Sequence, residues 1–157
     1  MECLRDVPPW QRVKHVDIQQ VRNTQQLDDA YFVRKTVFVN EQQVPEELEI
    51  DEFDETSLHF TGYDNDEPVA AARLRFVQGY GKLERICVLK EKRGYSYGRQ
   101  MIEKLEEAVR DHGYDKAKLN AQTQAEAFYE ALGYVTISDK FMDAGIPHVT
   151  MVKELNH

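Results

Sequence analysis

The chain has 157 residues, 41% of them hydrophobic and 31% charged, and 20 Lys and Arg stand against 28 Asp and Glu for a net charge of −8. That suits one domain with a packed core, and the acidic excess argues against a broad nucleic-acid-binding surface while leaving room for a local cationic pocket. Cys3 and Cys87 are too few for a disulfide framework or a multi-cysteine zinc site, and no apolar run follows the opening MECLRDVPPWQ or approaches the ~18 residues of a membrane span, so the expectation is a cytoplasmic protein with no membrane partner and no metal.

Residues 1–14, punctuated by Pro8-Pro9, read as an N-terminal extension, and 15–157 as a single domain. HVDIQQVR (15–22) alternates apolar and polar residues and predicts a first strand. Asn23 or Thr24 then caps a helix whose apolar positions are Leu27, Ala30, Tyr31, Val33, Val37 and Phe38, interrupted at Pro45. EELEIDEFDE (46–55) carries seven acids in ten residues and reads as an exposed loop or short helix. SLHFTGYD (57–64) and VAAARLRFV (69–77) flank the turn residues NDEP and predict a hairpin. KLERICVL (82–89) is the next strand. From Gly98 onward Met101, Ile102, Leu105, Ala108 and Val109 form one helical stripe, closed by His112-Gly113. KAKLNAQ (116–122) is a strand and QAEAFYEAL (124–132) a short helix ended by Gly133. YVTISDKF (134–141) and HVTMVKEL (148–155) are strands joined by MDAGIP. Hairpins followed by a strand–helix–strand unit predict an α/β (α+β) domain, a mixed sheet flanked by helices.

The segment LKEKRGYSYGRQ (89–100) runs from a strand through glycines into a helix. The first N–H groups of a helix have no internal partner and lie at the positive end of its dipole. Gly94 allows close backbone approach, and Lys90, Lys92, Arg93 and Arg99 add charge. Such a loop suits a phosphate or diphosphate, or else simply caps its helix. Neither the Walker pattern nor the dinucleotide Gly-x-Gly-x-x-Gly is present.

ERICVLKEKRGYSYGRQMIEKLEEAVRDHGY resembles the acetyl-CoA-binding segment of the GNAT superfamily of N-acetyltransferases, with Arg93 opening the loop, Gly98 closing it, and Ser96 standing where glycine is usual. LNAQTQAEAFYEALGY is similar to the family's next segment, and VRKTVFVNEQQVPEELEIDEFDE and GIPHVTM resemble its ElaA/YjcF-like branch. The resemblance spans about residues 16–155. It implies a mostly antiparallel mixed central sheet of six or seven strands flanked by helices. It also implies an N-acetyltransferase with acetyl-CoA as donor cosubstrate, passing the acetyl group directly to a primary amine. The alternative is a catalytically idle acyl-CoA-binding or regulatory module of the same fold.

Carried onto this chain, the resemblance implies that Ile86, Cys87 and Val88 border the pantetheine arm as an added strand would. It implies that Arg93, Gly94, Tyr95, Ser96, Tyr97, Gly98 and Arg99 hold the diphosphate, and that Asn120 bonds the arm from the other side. Ile86 and Val88 also suit plain strand packing, and the Cys87 side chain reads as buried packing, not a nucleophile. Tyr129 is implied as the acid for the departing thiolate, since a phenol of pKa about 10 stays protonated where a thiol of about 8.5 leaves; packing beside Phe128 and Leu132 is its other reading. Glu84 and His148 are the candidate bases. Glu49, Asp51 and Asp54 either attract a cationic amine or belong to a solvated acidic loop. His59 reads as a strand-surface residue, and Arg73 and Arg75 either line a cleft or pair with acids. The acceptor is expected to be a small-molecule amine or a protein lysine, with no nucleic acid involved; the oligomeric state is open between a monomer and a homodimer, since members of the family that it resembles often pair.

Overall fold

The computed structural model describes residues 14–155. The expected extension, with Cys3 and Pro8-Pro9, therefore lies outside the described residues except for Lys14. Lys14 is docked on the domain, its Nζ 3.2 Å from Asp64 and its carbonyl accepting from Gln100 Nε2.

Strand β1 (Asp17–Gln20) is shorter than its alternating stretch. Helix α1 (Thr24–Arg34) starts where Asn23 Oδ1 accepts the Gln26 N–H at 2.8 Å, the side-chain cap that satisfies an orphan donor. The expected single helix does not continue as one. Residues Lys35–Glu41 wind into a π-helix that ends at Gln42, turning Val37 into the core. A single turn, α2 (Glu46–Glu49), follows Pro45. Next come β2 (Leu58–Asp64), β3 (Glu67–Val77), β4 (Tyr80–Val88), α3 (Tyr97–Asp111), β5 (Lys116–Gln122), α4 (Glu126–Ala131), β6 (Val135–Thr136), β7 (Phe141–Asp143) and β8 (Ile146–Glu154).

One sheet takes all eight strands in the order β1-β2-β3-β4-β5-β8-β6, with β7 also on β8. Every pairing is antiparallel except β4 with β5. The count exceeds the expected six or seven because YVTISDKF is broken in two. Ser138 Oγ accepts the Thr150 N–H at 2.8 Å, so a side chain interrupts the backbone ladder between β6 and β7.

Helices pack on both faces. Met101, Ile102, Leu105 and Val109 of α3 are buried in the larger core, with Ala70, Ala72, Leu74, Leu83 and Leu119 of the sheet. Ala30 and Val33 of α1 bury against Ala71, Cys87 and Leu89 on the opposite face. Gly81 lets α3 come this close, since a Cβ there would meet Val109 Cγ2 at 2.3 Å.

Leu83 and Cys87, four apart on β4, belong to opposite cores, which a regular strand forbids. A bulge resolves the parity. Arg73 pairs Glu84 and Ala71 pairs Cys87, so one extra residue sits on β4, and Arg85 takes φ +54°.

Candidate active site

The bulge bends β4 where it leaves its parallel neighbour. β4 and β5 pair only at Gly81–Ala117, Lys82–Lys118 and Leu83–Leu119. Beyond these, Glu84–Val88 has β3 on one side and no strand on the other. Between the parted strands lies a cleft of about 870 Å³. Among its lining residues are Glu84, Ile86, Cys87, Val88, Arg93, Gly94, Ser96, Tyr97, Gly98, Arg99, Asn120, Tyr129 and His148. Of the residues implied as catalytic or coenzyme-binding, only Tyr95 does not line it. Its ring packs 5.9 Å from that of Tyr97 and under the Lys14 ammonium.

One end of the cleft is the loop into α3. Gly94 holds φ +90° with open space beside it. Ser96, in the place of the usual glycine, takes the same left-handed region at φ 65°, and Gln100 Nε2 donates to its Oγ at 3.1 Å. The first intrahelical bond of α3 runs from the Gln100 N–H to the Ser96 carbonyl, and no side chain caps the start. The N–H groups of Tyr97, Gly98 and Arg99 therefore have no helical acceptor. Arg93 does not extend its charge into the space. Its guanidinium is bidentate to Glu41 at 2.7 Å on both arms, and its Nε donates to the Val88 carbonyl. The side chain of Tyr97 also turns inward, its hydroxyl donating to Asp64 at 2.9 Å. What this loop offers an anion is mostly backbone, with Lys90 and Arg99 exposed nearby.

In mid-cleft, Tyr129 sits half-buried on α4, its hydroxyl without a hydrogen-bond partner among the described residues. Burial, with Cys87 next in weight, pushes its pKa up to about 12, so the phenol keeps its proton. Burial likewise pushes the Cys87 thiol up to about 12. It donates weakly to the Ala71 carbonyl and is inert packing. The carboxamide oxygen of Asn120 accepts from Thr150 Oγ1 at 2.9 Å.

The two base candidates differ sharply. Glu84 is surrounded by Arg73 (2.8 Å), Arg75 (2.9 Å) and Lys82 (3.0 Å). Burial alone raises its pKa, but the Arg75 hydrogen bond with the Arg73 and Lys82 charges wins, and the net shift is downward. His148 stacks on Phe141, and its Nδ1 lies 2.7 Å from the Ile146 carbonyl. A carbonyl only accepts, so Nδ1 carries the proton and Nε2 presents a lone pair in the neutral ring.

The acidic stretch opens with a short helix and exposes Glu46, Glu47, Glu52 and Glu55, while its other three acids turn inward to arginines and are no free cation trap. Glu49 and Asp54 are buried and clamp the fully buried Arg34 at 2.8 and 2.7 Å. Asp51 and Asp54 hold Arg73 at 2.7 and 3.0 Å, and Asp51 also meets Arg85 at 3.2 Å. Arg73 thus pairs with acids, while Arg75 stacks over Phe53 at the cleft wall. His59 is buried, not a surface residue, with Nε2 2.7 Å from the Asp54 carbonyl. Burial is the leading cause that lowers its pKa. Glu41, Gln42, Phe128 and Asp143 were not foreseen at the site. Gln42 Oε1 accepts from Gln122 Nε2 at 2.8 Å while Glu41 grips Arg93, so the π-helix spans the cleft from β5 to the α3 loop. No sequence signal marks these partners, which are 80 and 52 residues apart.

Solved structures share this architecture. Escherichia coli ElaA superposes with a TM-score of 0.79 at 28% identity, covering 89% of this chain and 100% of that one. A Bacillus subtilis acetyltransferase in complex with CoA superposes at 0.69 with 16% identity, covering 90% and 100%, and shares the fold. The fold is that of the acyl-CoA N-acyltransferases. In sequence, residues 18–155 match the acetyltransferase (GNAT) domain, and the chain belongs to that family. The uncharacterized N-acetyltransferase YjcF of Bacillus subtilis (strain 168) is 52% identical over 134 residues, 85% of this chain and 96% of that protein. ElaA of Escherichia coli (strain K12) is 31% identical over 153 residues, 93% and 96%. The chain is accordingly an acyltransferase of the YjcF and ElaA branch. Among the described residues no helix is long and apolar enough to cross a membrane, and no cluster of His, Cys, Asp or Glu is arranged to hold a metal.

Proposed function

We propose that the protein uses acetyl-CoA to acetylate a primary amine by direct transfer, in the cytosol. The observation that carries this is the strand-free edge Glu84–Val88 running straight into the uncapped start of α3. An extended pantetheine arm adds to such an edge as a strand does, beside Ile86, Cys87 and Val88. Its diphosphate then meets the backbone N–H groups from Arg93 through Gly98 and the Arg99 charge. The related acetyltransferase solved with CoA supports coenzyme binding by this fold. Asn120 borders the arm from β5.

The acyl carbon lies within reach of an amine whose proton must be lost before or during attack. His148 Nε2 is the acceptor for that proton, directly or through a water. Glu84 instead orders its arginines, since its lowered pKa makes it the weaker base. The N–C bond forms, the C–S bond breaks, and the CoA thiolate takes a proton from the Tyr129 hydroxyl. The inert Cys87 supports attack without an acyl-enzyme.

The test combines thermal unfolding with acetyl-CoA and detection of free CoA thiol against a panel of amines. Ligand that binds only the folded state at about 100 times its Kd stabilises by about 2.7 kcal/mol. A rise in Tm and thiol release with at least one amine is the expected result. A Tm rise without acetylation of any amine assigns an idle acyl-CoA-binding module. No rise removes the coenzyme reading altogether.

A further inference from the structure

We propose that the far end of the cleft is an oxyanion site, and that the acceptor is an amine that also carries a carboxylate or phosphate. The inference rests on the transferase reading for its substrate role, but its geometry stands separately. Arg75, Lys82 and Arg85 line the cleft. Val88, where the coenzyme loop begins, is six residues from Lys82, or about 20 Å of strand. The cleft therefore has a second cationic end, distinct from the α3 loop that suits the diphosphate.

On this wall five cations, Arg34, Arg73, Arg75, Lys82 and Arg85, share four carboxylates, Glu49, Asp51, Asp54 and Glu84, so the pairings leave cationic donors unused. Arg73 bonds through all three of its nitrogens. Arg75 bonds only through Nε, to Glu84, and its Cζ lies over the Phe53 ring, 4.0 Å from the centroid. Both of its terminal nitrogens remain without a partner among the described residues, in a side chain 22% exposed. Arg85 likewise leaves Nη1 unbonded. Lys82 meets Glu84 alone.

A guanidinium seated over an aromatic ring, with its two terminal nitrogens unbonded in a cleft, matches the two oxygens of a carboxylate or phosphate. The opposite wall carries Asp143, an exposed carboxylate without a partner among the described residues. It is free to meet an ammonium before His148 takes its proton. The same charges disfavour polyamines and strongly cationic peptides.

Calorimetric titration of the CoA-loaded protein tests this with matched pairs: glucosamine 6-phosphate against glucosamine, and β-alanine against propylamine. The anionic member of each pair should bind at least about tenfold tighter, as one charge-assisted contact implies. Arg75→Gln and, separately, Lys82→Gln should each reduce that advantage severalfold while CoA affinity and the Tm rise with CoA stay unchanged, which also reports that each variant folds. Equal affinities within the pairs, no binding by any of the four compounds, or an advantage that survives both substitutions overturns the site. A parallel thiol-release assay separates the two readings. Preferential anion binding without acetylation keeps the oxyanion site and sinks the transferase. Acetylation that favours the uncharged amines, or spermidine, keeps the transferase and sinks the oxyanion site.

Discussion

Ser96 adopts a left-handed backbone at the point where the loop after β4 turns into α3, a conformation that costs a non-glycine residue about 1–2 kcal/mol. The hydrogen bond from Gln100 offsets part of that cost, and Gln100 also reaches the Lys14 carbonyl and the Val16 N–H. Ser96→Ala keeps the strained backbone and loses the bond, and should lower stability by about 1 kcal/mol. Ser96→Gly trades strain against chain entropy and should fall within about 0.5 kcal/mol of the parent. Urea unfolding at neutral pH separates them: an alanine variant as stable as the parent removes the Gln100 bond from the account, and one as stable as the glycine variant removes the strain. The chemistry is testable at single residues too. Tyr129→Phe keeps the ring that packs at 5.1 Å from Phe128 and 6.0 Å from Tyr134 but removes the proton. It should reduce kcat by about 10²-fold or more while calorimetric acetyl-CoA affinity is unchanged; an unaltered kcat leaves Tyr129 as packing. His148→Gln should lower kcat/KM by about 10²-fold, and Glu84→Gln should lower it far less. The reverse pattern reassigns the base to Glu84.

The close seating of α3 on β4 depends on the missing side chain at Gly81. A methyl group there collides with Val109, which belongs to the buried stripe and has no room to withdraw. Gly81→Ala should therefore destabilise by about 1–3 kcal/mol, the usual penalty for overpacking. Val109→Ala added to it should restore part of the loss, and a double variant worse than the sum of the two singles contradicts the steric account. The elements built from local spacing were legible in the sequence: the α3 stripe, its end at Gly113, the hairpin over β2 and β3, and the glycine-bearing turn into α3. Each is dictated by side chains within a few residues of one another. The bulge at Arg85 was not, because a residue inserted into a strand leaves the alternation of ERICVL unmarked until the partner strand shows which face each side chain takes. The π-helix was also hidden, since Val37 and Phe38 continue the apolar spacing through it. The sequence marked the glycine-bearing turn into α3 and left the far end of the cleft unread. There, Arg73 meets acids 11 to 22 residues away, and residue types alone suggested a site for cations where the folded cleft presents arginines.

Across the whole molecule, the charge network ties the segment at 49–54 to three elements, α1, β3 and β4, that already share a core. Arg34 comes from α1, Arg73 from β3, Glu84 and Arg85 from β4, and the acids from the segment at 49–54. Its carboxylates hold their pairings only while ionised. Burial works to raise the Asp54 pKa, but hydrogen bonds from Arg34, the Asp51 N–H and Arg73 overcome it, and the value falls to about 2. An unfolded Asp titrates near 3.9, so the folded state binds the Asp54 proton less readily than the unfolded one. The resulting stability is fully present above the unfolded pKa and is lost as pH falls from about 4 to about 2; a shift of this size is worth about 2 kcal/mol. Glu84 and Asp64, both shifted downward, act in the same direction. Urea denaturation between pH 7 and pH 2.5 should show stability nearly constant at first and then falling. Asp54→Asn should lower stability at pH 7 by about 3–5 kcal/mol, because it leaves Arg34 and Arg73 short of charge in the interior. It should also flatten the acid fall, since the titrating group is gone. The network is shielded from solvent at Arg34, Asp54 and Arg73, so 1 M salt should change the parent's stability little, whereas a network held mainly by exposed pairs such as Lys35–Glu46 would weaken. A variant that keeps the parent's acid slope, or a parent that loses its stability in salt, places the acid-sensitive charges elsewhere on the molecule.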